Sequence, residues 1–180
     1  MAQRKAATTN RDSTGGTVPM PAAAQGGPIS HAIFRVARVH RMIAGQLLRR
    51  VGLHPGQELV MMHLWELGPQ RQADLVELLD SDPATMTRTI RRLERAGFVR
   101  RSPSPGDKRA YLIEATPASQ GLRRQVEDIW AQLEELAVGD VGKNQRQTIL
   151  EVLEGLEGRL SRAATMPAHC RASLTSHMTG

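Results

Sequence analysis

One stretch constrains this chain more than any other: DPATMTRTIRRLERAGFVRRSPSPGDKR, from Asp82 to Arg109. It holds eight basic residues (Arg88, Arg91, Arg92, Arg95, Arg100, Arg101, Lys108, Arg109) against three acids (Asp82, Glu94, Asp107), so roughly five of the chain's formal +6 sit here. Such a concentration is a footprint for a polyanion. Asp82 reads as an N-cap and Pro83 as a first-turn residue, where its missing N–H would be unpaired in any case. Met86, Ile90, Leu93 and Gly97 recur at helical spacing and make one face apolar. Ala84, Arg88, Arg91 and Arg95 lie nearly opposite, with Thr85 and Thr87 on the shoulders. Small and hydroxyl residues followed by arginines suit a helix whose first turns enter a major groove. An ordinary solvated basic face has the same pattern.

The second half of the stretch decides between them. Gly97 ends the helix, Phe98 and Val99 open a strand, and Arg100 and Arg101 lead into SPSPGD, a turn-forming run. Ala110 to Ala115 returns as a second strand. A helix followed by a basic-tipped hairpin is a winged helix. The run Leu93–Arg101, then Pro105–Arg109, then Leu112–Pro117 closely resembles the wing signature of the MarR family of bacterial transcriptional regulators. The resemblance covers Ile33 to Leu160 in element order, with Ala115 standing where that family usually has Leu. It implies that Arg109 enters the minor groove and that Asp107 braces the wing.

Composition narrows the alternatives. Aromatic residues are 3% of the chain, too few for a platform of stacked bases, which disfavours single-stranded RNA relative to duplex DNA. The sequence shows no charged-then-apolar leader and no apolar run of about 18 residues, so a cytoplasmic protein without membrane contact is expected. Cys170 is the single cysteine and excludes an internal disulfide; in a polar tail it reads as inert. The six histidines (His31, His40, His54, His63, His169, His177) include no pair at i, i+4 spacing, and no Gly-rich phosphate loop follows a strand. No enzyme, cofactor or metal site is expected. His31, His40, His54 and His63 leave open a metal-responsive version of the same regulator, and Cys170 a redox-responsive one.

In chain order, residues 1–30 read as a disordered arm rich in Ala, Thr, Gly and Pro. Residues 31–53 form an N-terminal dimerisation helix. In it Ile33, Val36, His40, Ile43 and Leu47 make one stripe, flanked by Phe34, Ala37, Ala44, Leu48 and Val51. Residues 54–115 form the winged helix-turn-helix domain. Pro55–Leu67 is its first helix, with Leu59, Val60, His63, Leu64 and Leu67 inward. Gln72–Leu79 is a bracing helix with Leu75, Leu78 and Leu79 inward. Residues 116–160 form C-terminal dimerisation helices: Leu122, Val126, Ile129, Leu133 and Leu136 follow a coiled-coil rhythm, and Ile149, Leu153, Leu156 and Leu160 repeat it. Five bases and eight acids between Leu122 and Leu160 direct this end to protein rather than DNA. Residues 161–180 read as a disordered tail.

The expected fold is mainly α, a winged helix-turn-helix domain with a two-stranded β wing plus dimerisation helices at both ends. The expected function is a homodimeric regulator on a pseudo-palindromic operator of double-stranded DNA. Arg88 and Arg91 would contact bases, supported by Thr85 and Thr87, while Arg95, Arg100 and Arg101 would contact phosphates. Resemblance to the family also implies a pocket for a small effector, commonly an aromatic or lipophilic weak acid. Arg38, Arg41, Met62 and Trp65 are its candidates, although Met and Trp serve equally as simple core. A non-specific architectural DNA binder is the alternative from another class.

Overall fold

The computed structural model describes residues 20–104 and 107–166, with 107–110 described by backbone alone. The elements are α1 (Pro28–Arg50), α2 (Gln57–Leu67), β1 (Gln70–Arg71), α3 (Gln72–Leu78), α4 (Pro83–Arg95), β2 (Val99–Ser104), β3 (Asp107–Ala115), α5 (Gln120–Val138) and α6 (Lys143–Thr165). Single 3-10 turns occupy Ala22–Ala24 and Pro117–Ser119. The fold is therefore mainly helical with one small antiparallel sheet. It divides into two compact units, residues 1–42 and 43–180, with the boundary inside α1.

In the first unit, α1 starts at Pro28 rather than His31, because proline's fixed φ suits the opening helical position. Its apolar stripe is uncovered up to Met42, whereas Ala44, Leu47 and Leu48 further along the helix are buried. Phe34 and Val36 are 66% and 68% exposed, and Ile29, Ile33, Val39 and Met42 are exposed too. A helix of this kind hides its stripe only against something else.

The second unit holds the core. Val60, Met61 and Leu64 of α2 meet Leu75 of α3 and Met86, Ile90 and Leu93 of α4. Val99 and Ile113 close this cluster from the sheet, and Leu122, Val126, Ile129 and Leu133 from α5. Each such side chain contributes about 1.5–3 kcal/mol on burial. Helix α2 packs on α4, α5 and β3 and so ties the recognition elements to the C-terminal helices.

Several expectations are corrected. Helix α2 begins at Gln57, not Pro55, because Gly56 precedes it at φ 90, a left-handed conformation that only glycine adopts freely. Its buried face is Gln57, Glu58, Val60, Met61 and Leu64, whereas Leu67 is half exposed and Leu59 and His63 are only half buried. Helix α3 ends at Leu78, which faces out, while Val76 within it and Leu79 just after it pack against the core. The wing is part of a three-stranded sheet in the order β1-β3-β2, since Gln70 and Arg71 pair with Ile113 and Leu112. Strand β2 continues through Ser104, taking in Ser102–Ser104, whose composition predicts a turn. Helix α6 runs on to Thr165, past the expected end at Leu160, and buries no residue along its length.

Candidate nucleic-acid interface

The basic helix is fixed at both ends by its own sequence. Asp82 caps it: the Thr85 N–H donates to Asp82 Oδ1 at 2.8 Å, and Pro83 fills the first turn. At the other end Gly97 takes φ 76, with its N–H on the Glu94 carbonyl and the Phe98 N–H on the Leu93 carbonyl, both at 3.0 Å. That Schellman arrangement stops the helix and turns the chain directly into β2. Met86, Ile90 and Leu93 are buried, as expected, which leaves Arg88, Arg91, Arg92 and Arg95 exposed on α4.

The two threonines of the first turns do different things. Arg88 Nη2 donates to Thr85 Oγ1 at 2.9 Å. Hydrogen bonds from the Thr85 side chain first, and then from its backbone, hold the Asp82 carboxyl below the usual carboxylate range, with the Arg88 charge a smaller contribution. Thr87 instead faces the bracing helix. Its hydroxyl donates to the Pro83 carbonyl at 2.7 Å and accepts from Gln72 Nε2 at 2.8 Å, which stitches α3 to α4.

Arg100 and Arg101 are engaged within the fold. The cross-strand pairing sets Arg100 opposite Glu114, and the two side chains form an ion pair. Arg101 Nε lies 3.6 Å from Glu94 Oε2, joining β2 to α4. No carboxylate stands at ion-pairing distance from Arg88, Arg91, Arg92 or Arg95 among the described residues. Among the described basic residues of this stretch, those without a carboxylate partner are therefore the four on the helix. Asp107 and Arg109 belong to β3 by their backbone, and their side chains lie outside the described residues.

A cavity of about 500 Å³ opens between α2 and α5. Met62, Trp65, Val126 and Trp130 form its apolar wall, and His63, Glu66, Arg123 and Glu127 complete the lining. Trp65 Nε1 donates to Ser119 Oγ at 3.0 Å, and the buried Ser119 hydroxyl donates in turn to the Thr116 carbonyl at 2.7 Å. Arg123 Nε donates to Glu127 Oε1 at 3.0 Å. Of the residues named for a ligand pocket, Met62 and Trp65 line this cavity. Arg38 and Arg41 belong to the first unit, where they are exposed on α1. The guanidinium at this cavity is that of Arg123, which the apolar repeat of α5 does not single out.

Among the described residues, no group of three or more His, Cys, Asp or Glu side chains is placed to hold a metal ion. Cys170, His169 and His177 lie outside them. No described helix is long and apolar enough to cross a membrane.

The MarR family model matches residues 53–111, from within the connection between α1 and α2 to the middle of β3. The chain is 28% identical over 125 residues to the HTH-type transcriptional repressor NicR of Pseudomonas putida, covering 69% of this chain and 79% of that protein. It is 31% identical over 110 residues to the uncharacterized HTH-type transcriptional regulator YwoH of Bacillus subtilis, covering 61% of this chain and 80% of that one. In fold it is similar to a MarR mutant from Escherichia coli complexed with operator DNA, with a TM-score of 0.69, 20% identity, and coverage of 76% and 99% of the two chains. A MarR transcriptional regulator from Methanosarcina mazei gives the same TM-score of 0.69, at 24% identity, with coverage of 75% and 97%.

Proposed function

This chain belongs to the MarR family of winged helix-turn-helix transcriptional regulators, and from that premise we propose that it is a dimeric repressor released from its operator by a small ligand. The observation that carries the reading is the arginine face of α4, which has no carboxylate partner among the described residues and lies opposite a buried Met86–Ile90–Leu93 face. A rigidly backed helix whose guanidinium groups meet no carboxylate among the described residues matches the charge and depth of a major groove.

In this reading Arg88 and Arg91 reach base edges, and Thr85 orients Arg88. Arg95 contacts phosphate. Arg100 and Arg101 contribute less to phosphate binding than their charge suggests, because Glu114 and Glu94 partly answer them. Asp107 braces the wing tip and Arg109 enters the minor groove. The exposed apolar residues of α1 and of α6 support a dimer in which a second copy covers them, and two-fold symmetry then requires a pseudo-palindromic operator. The cavity between α2 and α5 supports the ligand response. A ligand that prefers a dimer with misplaced recognition helices lowers operator affinity by its differential affinity for that state. The family consists of transcriptional regulators, and the chain is read as one rather than as an enzyme.

The test is equilibrium binding of the native protein and of Arg88→Ala and Arg109→Ala to duplex from upstream of its own gene, across a salt series. Preference over scrambled duplex by at least about 10³ supports an operator-specific regulator. Equal, weak binding to both duplexes would instead mark an architectural DNA binder.

A further inference from the structure

We propose that the cavity between α2 and α5 takes a lipophilic aromatic cation rather than the weak acid that family resemblance implies. The proposal rests on the ligand-responsive reading and supplies the chemical class of that ligand.

The wall comes first. The chain has two tryptophans, and both Trp65 and Trp130 line this one cavity, beside Met62 and Val126. Its volume of about 500 Å³ accommodates a ligand of two or three fused rings. Indole faces carry negative quadrupole density and attract cations more strongly than any other side-chain ring. The Trp65 N–H is already donated to Ser119, so it offers nothing to an incoming anion.

Charge then selects. The lining carries two carboxylates, Glu66 and Glu127, against one guanidinium, Arg123. That guanidinium is bound to Glu127 through Nε at 3.0 Å. A carboxylate ligand is left the Nη groups of Arg123 alone, where it sits beside the two acids. A cation meets Glu66, which has no ion-pair partner among the described residues, and leaves the Arg123–Glu127 pair intact.

Three probes that share one ring separate the possibilities: naphthylmethylammonium, the neutral naphthylmethanol, and naphthylacetate, each titrated calorimetrically into the full chain without DNA. The cation is expected to bind about two- to fivefold more tightly than the alcohol, the scale of a cation–π contact at an accessible site, and the acid most weakly. Glu66→Gln should reduce the preference for the cation and leave the alcohol unchanged. Glu127→Gln, by releasing Arg123, should improve the acid. Trp130→Ala should weaken all three, with thermal melting to establish that the variant is folded. Acid binding at least as tight as that of the cation overturns the proposal. So does a cation preference indifferent to Glu66, or the absence of binding by all three probes. Because no DNA is present, failure here leaves operator binding standing, and failure of operator binding leaves this result standing.

Discussion

Arg88 Nη2 sits 2.9 Å from Thr85 Oγ1, so the guanidinium is held by the residue one turn before it, which is itself tied to the Asp82 cap. An arginine that enters a groove already ordered loses less side-chain entropy on binding than a free one. Thr85→Ala should therefore weaken operator binding by about 0.5–1.5 kcal/mol, the net worth of one hydrogen bond. Arg88→Ala should cost about 1–3 kcal/mol and relax preference at the base pair it reads. Fluorescence anisotropy with operator and single-substituted duplexes measures both. Were Thr85→Ala to match the native protein, Arg88 would be ordered by DNA alone.

Thr87 looks equivalent in the sequence and should behave differently. Its hydroxyl accepts from Gln72 and donates to Pro83, so Thr87→Val leaves a part-buried amide without its acceptor. Urea denaturation should show a loss of about 1 kcal/mol. Operator affinity should fall with no change in salt slope, because no phosphate contact is removed. A shallower slope would put Thr87 at the DNA instead.

Two carboxyls give opposite pH signatures. Asp82 is held low by its bonds to Thr85, so the stabilisation from its cap is present above the unfolded carboxylate pKa and is lost as pH falls through the depressed folded value. Asp82→Asn should flatten that acid limb. Glu58 is buried, with Oε2 lacking a hydrogen-bond partner, and desolvation raises its pKa, outweighing its backbone hydrogen bonds to Glu58 and Gly56. Its charged form opposes folding, so stability from this group recovers as pH falls through the raised folded value toward the unfolded one. Glu58→Gln should be more stable than the native protein at neutral pH, because a neutral amide escapes the desolvation of a buried charge, with the advantage shrinking in acid. Thermal melts of the three proteins across the acid range separate the two effects.

These particulars show which parts of the fold could be read in the chain. Helix α4 was legible because its determinants are local: Asp82 and Pro83 at one end, Gly97 at the other, and a clean apolar repeat between. Strand β1 was not, since Gln70 and Arg71 carry no strand pattern and pair only because Leu112 and Ile113 arrive beside them. The buried face of α2 misled periodicity because Gln57 and Glu58 are polar and yet buried, with Gln57 accepting the His54 N–H. In the same way the pairing of Arg100 with Glu114 and of Arg101 with Glu94 depends on register and packing, which a count of charges does not reveal. Arg123 reached the cavity through the packing of α5 on α2, which no local spacing announces.

Helix α6 supplies the last prediction. It has 23 residues and buries none, while Val152, Leu153 and Leu160 are 52%, 54% and 61% exposed and Ile149 and Leu150 are also open. Propensity alone rarely holds such a helix, and an apolar repeat at Ile149, Leu153, Leu156 and Leu160 is what a second copy would cover. Light scattering should therefore give about twice the 19.8 kDa chain mass at micromolar concentration. Leu153→Glu with Leu160→Glu should halve that value, because a buried unpaired carboxylate is strongly unfavourable at a seam. The core residues named for α2, α4 and α5 are untouched by these changes, so the circular dichroism of the winged domain should persist. Operator affinity should drop at least about tenfold as the second half-site ceases to be held at high effective concentration. A native protein that is monomeric, or a double variant that stays dimeric, would remove α6 from the interface.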